Sequence, residues 1–403
     1  MTDSSLSSDS ANRPAGVNEV LGLLDSCFVS PEARALPSYY SFAVSVVCDL
    51  GCPYCPRQTY GDTIDSGLMD LKIIDSFRRY LRFSQYTGLF GLGEPFLHPR
   101  FMDFIRTVKE ADGYAATSTH GMRLDETIIE KIITSNLDEL EISIDAASTK
   151  VFSFLRKGAD LDAIINNITH LQNAKKKMGV SHPILRIASC ISVYNLDEVL
   201  DLVRLAKRLD AASIVFTNII ITHPENKHIS VYPSMAFDSM IESAKKLGRN
   251  IGMEVQYFYQ KPYPWLRSID EDGCAGDKAG VSHGCPLIWG SMSLDINGDI
   301  KPCCYYDEIF GNYTDDTVEN IFNNPRFKEL RQRLINGDLP DCCVDCGNLR
   351  RITPEYLEEK LMMAEKRLEE IRAIIIEQDY KSLKELLNYY RNTVHAYIIS
   401  SKI

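Results

Sequence analysis

Short apolar runs alternate with amphipathic segments through the first half of the chain. Strand-type runs occur at Ser41–Val47, Tyr86–Leu92, Gly113–Thr119, Leu140–Asp145, Ile184–Val193 and Ser213–Ile220. Between them apolar residues recur at helical spacing over Leu71–Phe83, Phe101–Ala111, Glu126–Ser135, Leu161–Met178 and Leu196–Leu209. Strands that alternate with helices pair in parallel through right-handed crossovers. These units are too few for a closed barrel. The pattern therefore predicts an α/β fold, a partial (β/α)6 TIM-like barrel over residues 37–222. Residues 1–36 read as a flexible N-terminal segment that ends in a short helix, Val17–Cys27.

The periodicity then changes. Residues 223–273 are irregular and rich in Pro and aromatic residues, and they read as a linker with one helix near Met235–Leu247. Within residues 274–350, Asn297-Gly298 separates Ser291–Ile296 from Asp299–Cys303, and Asn-Gly favours a tight hairpin turn. Residues 351–403 are helical. Thr353-Pro354-Glu355 supplies an N-cap, a first-turn proline and an acid. Leu357, Leu361, Ala364, Leu368, Ile371 and Ile375 form one apolar stripe. The stripe packs against the body, or against a second subunit as a homodimer contact.

Composition narrows the function classes. The 403 residues are 45% hydrophobic and 25% charged, ordinary values for a globular protein. The net charge of −11 disfavours nucleic-acid binding, which needs a basic face. There is no apolar run of membrane-spanning length, and Met1–Gly16 lacks the features of a signal peptide, so no membrane association and a cytoplasmic location are expected. The 12 cysteines are clustered, and in a reducing compartment clustered thiols read as metal ligands or catalysts.

The first cluster, Cys48, Cys52 and Cys55, has Cys-x3-Cys-x2-Cys spacing just past the first strand. Three thiolates can hold three irons of a 4Fe–4S cluster and leave the fourth open. The alternative is a zinc site, which normally has four closed ligands. The loop resembles the signature of the radical S-adenosylmethionine (radical SAM) enzymes, including Tyr54 directly before the third cysteine. Gly91-Leu92-Gly93-Glu94-Pro95, after the second strand, is similar to the family's glycine-rich motif for the SAM ammonium group. Ser118-Thr119-His120-Gly121 resembles the family's Thr-Asn-Gly, with His120 in place of Asn. Period two on the fourth strand puts Glu141, Ser143 and Asp145 on one polar face. The resemblance places Ser143 and Asp145 near the SAM ribose and carboxylate, and Arg156 beside that carboxylate. It implies SAM, a SAM-binding 4Fe–4S cluster, and a flavodoxin- or ferredoxin-type reductant. On the fifth strand Cys190 shares a face with Arg186, Ala188 and Ser192. It is either a hydrogen-atom donor to a substrate radical, as in radical epimerases, or a buried core cysteine.

The second cluster holds Cys285, Cys303, Cys304, Cys342, Cys343 and Cys346. Gly298-x4-Cys303, Cys343-x2-Cys346, Trp289, Gly311-Asn312 and Val318–Asn323 resemble the SPASM or twitch extension of radical SAM enzymes. A full SPASM cysteine run is missing, so the resemblance implies one auxiliary 4Fe–4S cluster on Cys285, Cys303, Cys343 and Cys346. Cys304 can replace Cys303, Cys342 can replace Cys343, and Cys274 is a further candidate. A zinc ribbon is the alternative. An auxiliary cluster ligated by four cysteines suits accepting an electron in a net oxidation. About 40 residues precede the first strand, fewer than the peptide-recognition domain of many peptide maturases. The expected substrate is therefore a small natural-product-type molecule (a sugar, aminocyclitol or amino-acid-like metabolite). The alternative is a peptide maturase or epimerase with a separate recognition protein. A non-catalytic iron–sulfur or zinc protein is the reading from another class.

Overall fold

A computed structural model describes residues 14–60, 66–219, 228–231, 234–258, 282–304, 306, 308–344, 346 and 348–401. Cys274 lies outside these residues. Helix α1 (Ala15–Asp25) precedes β1 (Tyr39–Ala43), α2 (Pro56–Tyr60), α3 (Leu71–Leu81), β2 (Tyr86–Phe90) and α4 (Phe101–Glu110). Next come β3 (Ala115–Thr119), α5 (Glu126–Thr134), β4 (Glu139–Ser143), α6 (Thr149–Leu155), α7 (Leu161–Met178) and β5 (Ile184–Ile191). They are followed by α8 (Val199–Arg208), β6 (Ser213–Asn218), α9 (Met235–Ile251) and β7 (Glu254–Phe258). The cysteine-rich part contains β8 (His283–Gly284), α10 (Pro286–Gly290), β9 (Ser291–Leu294), β10 (Asp299–Lys301) and β11 (Gly311–Asn312). It continues with α11 (Val318–Phe322), α12 (Pro325–Ile335) and β12 (Arg350–Arg351). Helices α13 (Pro354–Ile371) and α14 (Glu377–Ser401) end the chain.

Strands β1 to β7 lie side by side in chain order, all parallel. The architecture is the expected α/β partial barrel, with two additions. The stretch expected as a linker supplies α9 and β7, a seventh parallel strand at the sheet edge. At the other edge β9 pairs in parallel with β1, Tyr39 facing Ser291, so the cysteine-rich hairpin continues the barrel sheet.

Alternation along the strands sorts the residues. Tyr40, Phe42, Leu89, Leu140, Ile142, Leu185 and Ile187 are buried beneath the helices. There they meet the apolar faces of α3 (Ile73, Ile74, Phe77) and α4 (Phe104, Ile105, Val108) in one core. Asp70, Asp125, Ser148 and Asp160 cap α3, α5, α6 and α7 by accepting backbone N–H groups that otherwise lack partners. Gly179 and Gly252 end α7 and α9 in the left-handed region.

The short helix expected at Val17–Cys27 forms as α1, two residues earlier at each end, and it belongs to the core; residues 1–13 of the expected flexible segment lie outside the described residues. Val17, Val20, Leu21 and Leu24 of α1 are fully buried, and α1 packs on α13 and α14. A Cβ on Gly16 would come within 2.8 Å of Ile371, and Glu19 pairs with Arg367 at 2.6 Å. The stripe Leu357, Leu361, Ala364, Leu368 and Ile371 is buried within the same chain, the first of its two expected arrangements. The α1 stripe finds its partner more than 300 residues away, beyond any local pattern. No helix among the described residues is long and apolar enough to cross a membrane.

Candidate active site

The segment before the first cysteines is held from both sides. Val46 N–H donates to Gly67 O at 2.9 Å. Gly93 N–H donates to Ser45 O at 3.0 Å and Glu94 N–H to Val47 O at 2.8 Å. This approach requires glycine. Gly91 has φ +154°, and a Cβ there would lie 2.4 Å from Ser45 O. A Cβ on Gly93 would lie 2.4 Å from Val47 O. The cysteine loop is pinned further by Gly51 N–H to Lys157 O at 2.9 Å and by an Arg57 bond to Leu50 O at 3.0 Å.

Glu94 is buried and its carboxylate is fully used. It accepts from Thr119 Oγ1 at 2.7 Å, His120 N at 2.9 Å and Phe96 N at 3.1 Å. Pro95 is buried in the short 3-10 turn that Glu94 caps. His120 Nδ1 accepts from Met122 N at 3.1 Å, which leaves the proton on Nε2. Nε2 lies 2.9 Å from Asp49 Oδ1 and 3.3 Å from Glu94 Oε2. Arg123 holds the other Asp49 oxygen. His120 thus ties the cysteine loop to the glycine-rich motif.

Asp145 is fully buried behind the site. It accepts from Tyr54 Oη, Arg156 Nε and, at 2.7 Å, Cys190 N. The Tyr54 hydroxyl is raised well above its ordinary range by burial and by Asp145. Asp145 is therefore a hub that orients Tyr54 and Arg156. One cavity of about 470 Å³ is lined by Cys48, Cys52, Cys55, Tyr54, Gly91, Gly93, Glu94, Ser143, Arg156 and Cys190. Residues of β2 through β5 share it, which shows the sheet curling round a lumen. Tyr86, Phe90, Ser118, Thr119, His120 and Glu141 also line it. The sequence reading gave none of these a role, although the period-two face of β4 already contained Glu141. Cys190 Sγ lies 3.3 Å from Thr217 Oγ1, and burial pushes its thiol up to about 12.

The second group of thiols is assembled from three distant segments. Cys285, Cys303 and Cys343 are buried, Cys342 and Cys346 are half-buried, and Cys304 is exposed. The Cys343 thiol is raised by a hydrogen bond with Cys342, by burial, and by the nearby Cys303 and Cys285. Cys285 is pushed up to about 11, chiefly by burial, with Cys346 adding to it. Fully buried Arg331 locks this region in place. It stacks on Phe322 at 4.3 Å and bonds Ile288 O, Pro31 O and Asn323 at 3.1, 3.2 and 3.1 Å.

The Radical SAM superfamily profile matches residues 42–206, and the SPASM profile, an iron-sulfur cluster-binding domain, matches residues 285–347. The chain belongs to the radical SAM superfamily. It is 24% identical to a tungsten-containing aldehyde ferredoxin oxidoreductase cofactor-modifying protein of Pyrococcus furiosus, over 77% of this chain and 87% of that one. It is 23% identical to the mycofactocin maturase MftC of Mycolicibacterium smegmatis, over 77% and 76% of the two chains. In fold it is similar to Streptococcus suis SuiB bound to S-adenosylmethionine, with a TM-score of 0.57 at 16% identity over 73% and 68% of the chains.

A radical SAM protein with a SPASM domain carries SAM, a 4Fe–4S cluster and auxiliary iron–sulfur. The residues present fit such clusters: three thiols of one loop line the cavity, and a second group of thiols is gathered in the cysteine-rich region, the ligand type that iron–sulfur clusters take. Among the described residues one trio of ligand atoms lies within 4.8 Å of one another, Cys48, Asp49 and His120, and in it Asp49 and His120 are hydrogen-bonded to each other.

Proposed function

We propose that this radical SAM enzyme modifies a peptide presented with a separate recognition protein. The radical SAM chemistry in this reading is carried by one observation: three loop thiols, the held Glu94 and the polar face of β4 converge on one cavity. In this reading Cys48, Cys52 and Cys55 hold the SAM-binding cluster. Glu94, Gly91, Gly93 and Pro95 shape the pocket for the SAM ammonium group, and Tyr54, Ser143 and Arg156 line the rest. Asp145 acts through Tyr54 and Arg156 by fixing their orientation. When bound, the cluster supplies one electron that cleaves SAM to a 5′-deoxyadenosyl radical able to take a substrate hydrogen atom. Cys190 stands in the same cavity as a neutral thiol, the form a hydrogen-atom donor requires. Cys285, Cys303, Cys343 and Cys346 hold one auxiliary cluster, with Cys304 and Cys342 as the unused members of each doublet.

Two comparisons support a peptide. MftC is a mycofactocin maturase, and SuiB was solved with its precursor peptide SuiA, a fold match with a TM-score of 0.55. The second reading is a small natural-product-type substrate. The cavity of about 470 Å³ favours it, because that is the size of a small-molecule site. Anaerobic reconstitution tests the shared chemistry. Iron and sulfide should approach about eight each per chain for two clusters, and 5′-deoxyadenosine should form with SAM and a reductant. The triple variant Cys48→Ala/Cys52→Ala/Cys55→Ala should lose that product and keep about four irons. Product formation by the triple variant would sink the site assignment.

A further inference from the structure

The inward positions of β4 carry Glu139 and Glu141, about 7 Å apart along the strand, and Asp145 follows two residues past its end. Past the C-terminal end of β4, fully buried Asp145 is paired with Arg156. At the floor Glu139 is paired with Arg186 at 2.9 Å and accepts from Tyr114 Oη at 3.2 Å. Glu141 lies between these pairs and lines the cavity. Its neighbours across the sheet are Ser118 on β3 and Arg186 on β5. The Ser118 hydroxyl bonds to it, while Arg186 is already engaged by Glu139. Among the described residues no lysine or arginine forms an ion pair with Glu141. Burial raises its carboxyl and the Glu139 charge adds to this, against the Ser118 hydrogen bond and the Arg186 and Arg156 charges, which lower it.

Two aromatic side chains border the same space. Tyr86 and Phe90 of β2 line the cavity. Phe90 lies so close over Gly88 that a Cβ there would meet the ring at 2.2 Å, so the glycine admits the ring into the lumen. A half-buried carboxylate with no direct ion pair, beside aromatic faces, is an environment that an incoming ammonium or guanidinium stabilises.

We propose that Glu141 anchors a cationic side chain of the substrate, an ammonium or guanidinium group, at the deep end of the cavity. It lies two residues deeper than Ser143 and four deeper than Asp145. A basic side chain held there would leave its backbone and nearer carbons toward the mouth. The proposal deepens the peptide reading and rests on it for the substrate class, a peptide with a lysine- or arginine-type residue at the modified position.

Binding by calorimetry tests this with the reconstituted, SAM-loaded full chain kept anaerobic. The probes are two blocked peptides that differ only in carrying lysine or norleucine, and the small pair butylamine and butanol. Wild type should bind the lysine peptide about tenfold or more tightly than the norleucine peptide. Glu141→Gln should reduce that ratio to near unity, and Glu141→Asp should keep part of it. Iron content and cluster absorbance report whether each variant is assembled. Should Glu141→Gln fail to assemble, Glu141→Asp carries the comparison, and a ratio unchanged from wild type in it overturns the assignment. Equal binding of both peptides overturns the Glu141 assignment and leaves the peptide reading intact. If neither peptide binds but butylamine is preferred over butanol, the cation site stands and the peptide reading fails. Absence of any charge preference in both pairs overturns the inference.

Discussion

The two groups of thiols are built in opposite ways. Cys48, Cys52 and Cys55 lie on one loop whose backbone is pinned to the Gly91–Glu94 segment on one side and Gly67 on the other. Their relative placement is a local property, set by spacing and by glycines that allow close approach. Cys285, Cys303, Cys343 and Cys346 come from α10, the end of a hairpin and a loop after α12. Only β9 docking on β1, and Arg331 clamping Ile288, Asn323 and Pro31 together, bring these segments to one place. A site written on one loop tolerates distant changes and fails with its own glycines. A site collected from several segments depends on the packing that collects them.

The largest test of this contrast concerns the doublets. Cys303→Ala or Cys343→Ala should each remove about four irons per chain, one whole cluster. Cys304→Ala and Cys342→Ala should leave the iron count as in wild type. Iron and sulfide analysis with the cluster absorption spectrum checks both, and a reversed pattern would reassign the ligands within each doublet. A smaller effect is expected at the barrel mouth. Gly93→Val puts a side chain where backbone already lies, which should cost about 2–4 kcal/mol and displace the cysteine loop. Urea denaturation measures the loss, and the SAM-binding cluster should be depleted while the auxiliary cluster persists.

A third effect belongs to the assembled half. Asp25 is buried between the N-terminal segment and the cysteine-rich region. Its Oδ2 accepts from Arg34 N and Ala35 N at 2.6 and 2.7 Å, while Oδ1 lacks a hydrogen-bond partner. Burial raises its carboxyl from 3.8 to about 6. The folded state then binds this proton more tightly than the unfolded chain does. The contribution of Asp25 to stability is fully present below pH 3.8 and is lost as pH rises through about 6. Asp25→Asn should gain up to about 3 kcal/mol relative to wild type between those limits. Thermal midpoints across the pH series report it, and a constant difference would remove Asp25 as the source.

Much of the barrel was legible because its signals are local. The period-two face of β4, the alternation on β5 and the Cys-x3-Cys-x2-Cys loop each name their neighbours within a few residues. β7 was missed because an edge strand needs burial on one side only. Its residues Glu254–Phe258 are exposed or half-buried and carry no clear alternation of burial. The partners of Asp145 are not legible in the sequence, because a strand pattern tells which face a carboxylate takes, not which cations and hydroxyls reach it. His120 was noticed as a departure without a role, since its partners Asp49 and Glu94 sit on two other loops.

By itself the sequence determined the class of chemistry, the order of the first six strands and the spacing of the thiols on the first loop. These follow from spacing, side-chain period and capping, which act over a few residues of backbone. The tertiary structure alone decided that α1 is core, that the cysteine-rich hairpin extends the barrel sheet, and that Arg186, opposite Glu141, is paired with Glu139. Those outcomes depend on which apolar faces and charges meet across hundreds of residues, and such pairings are fixed only when the whole chain packs.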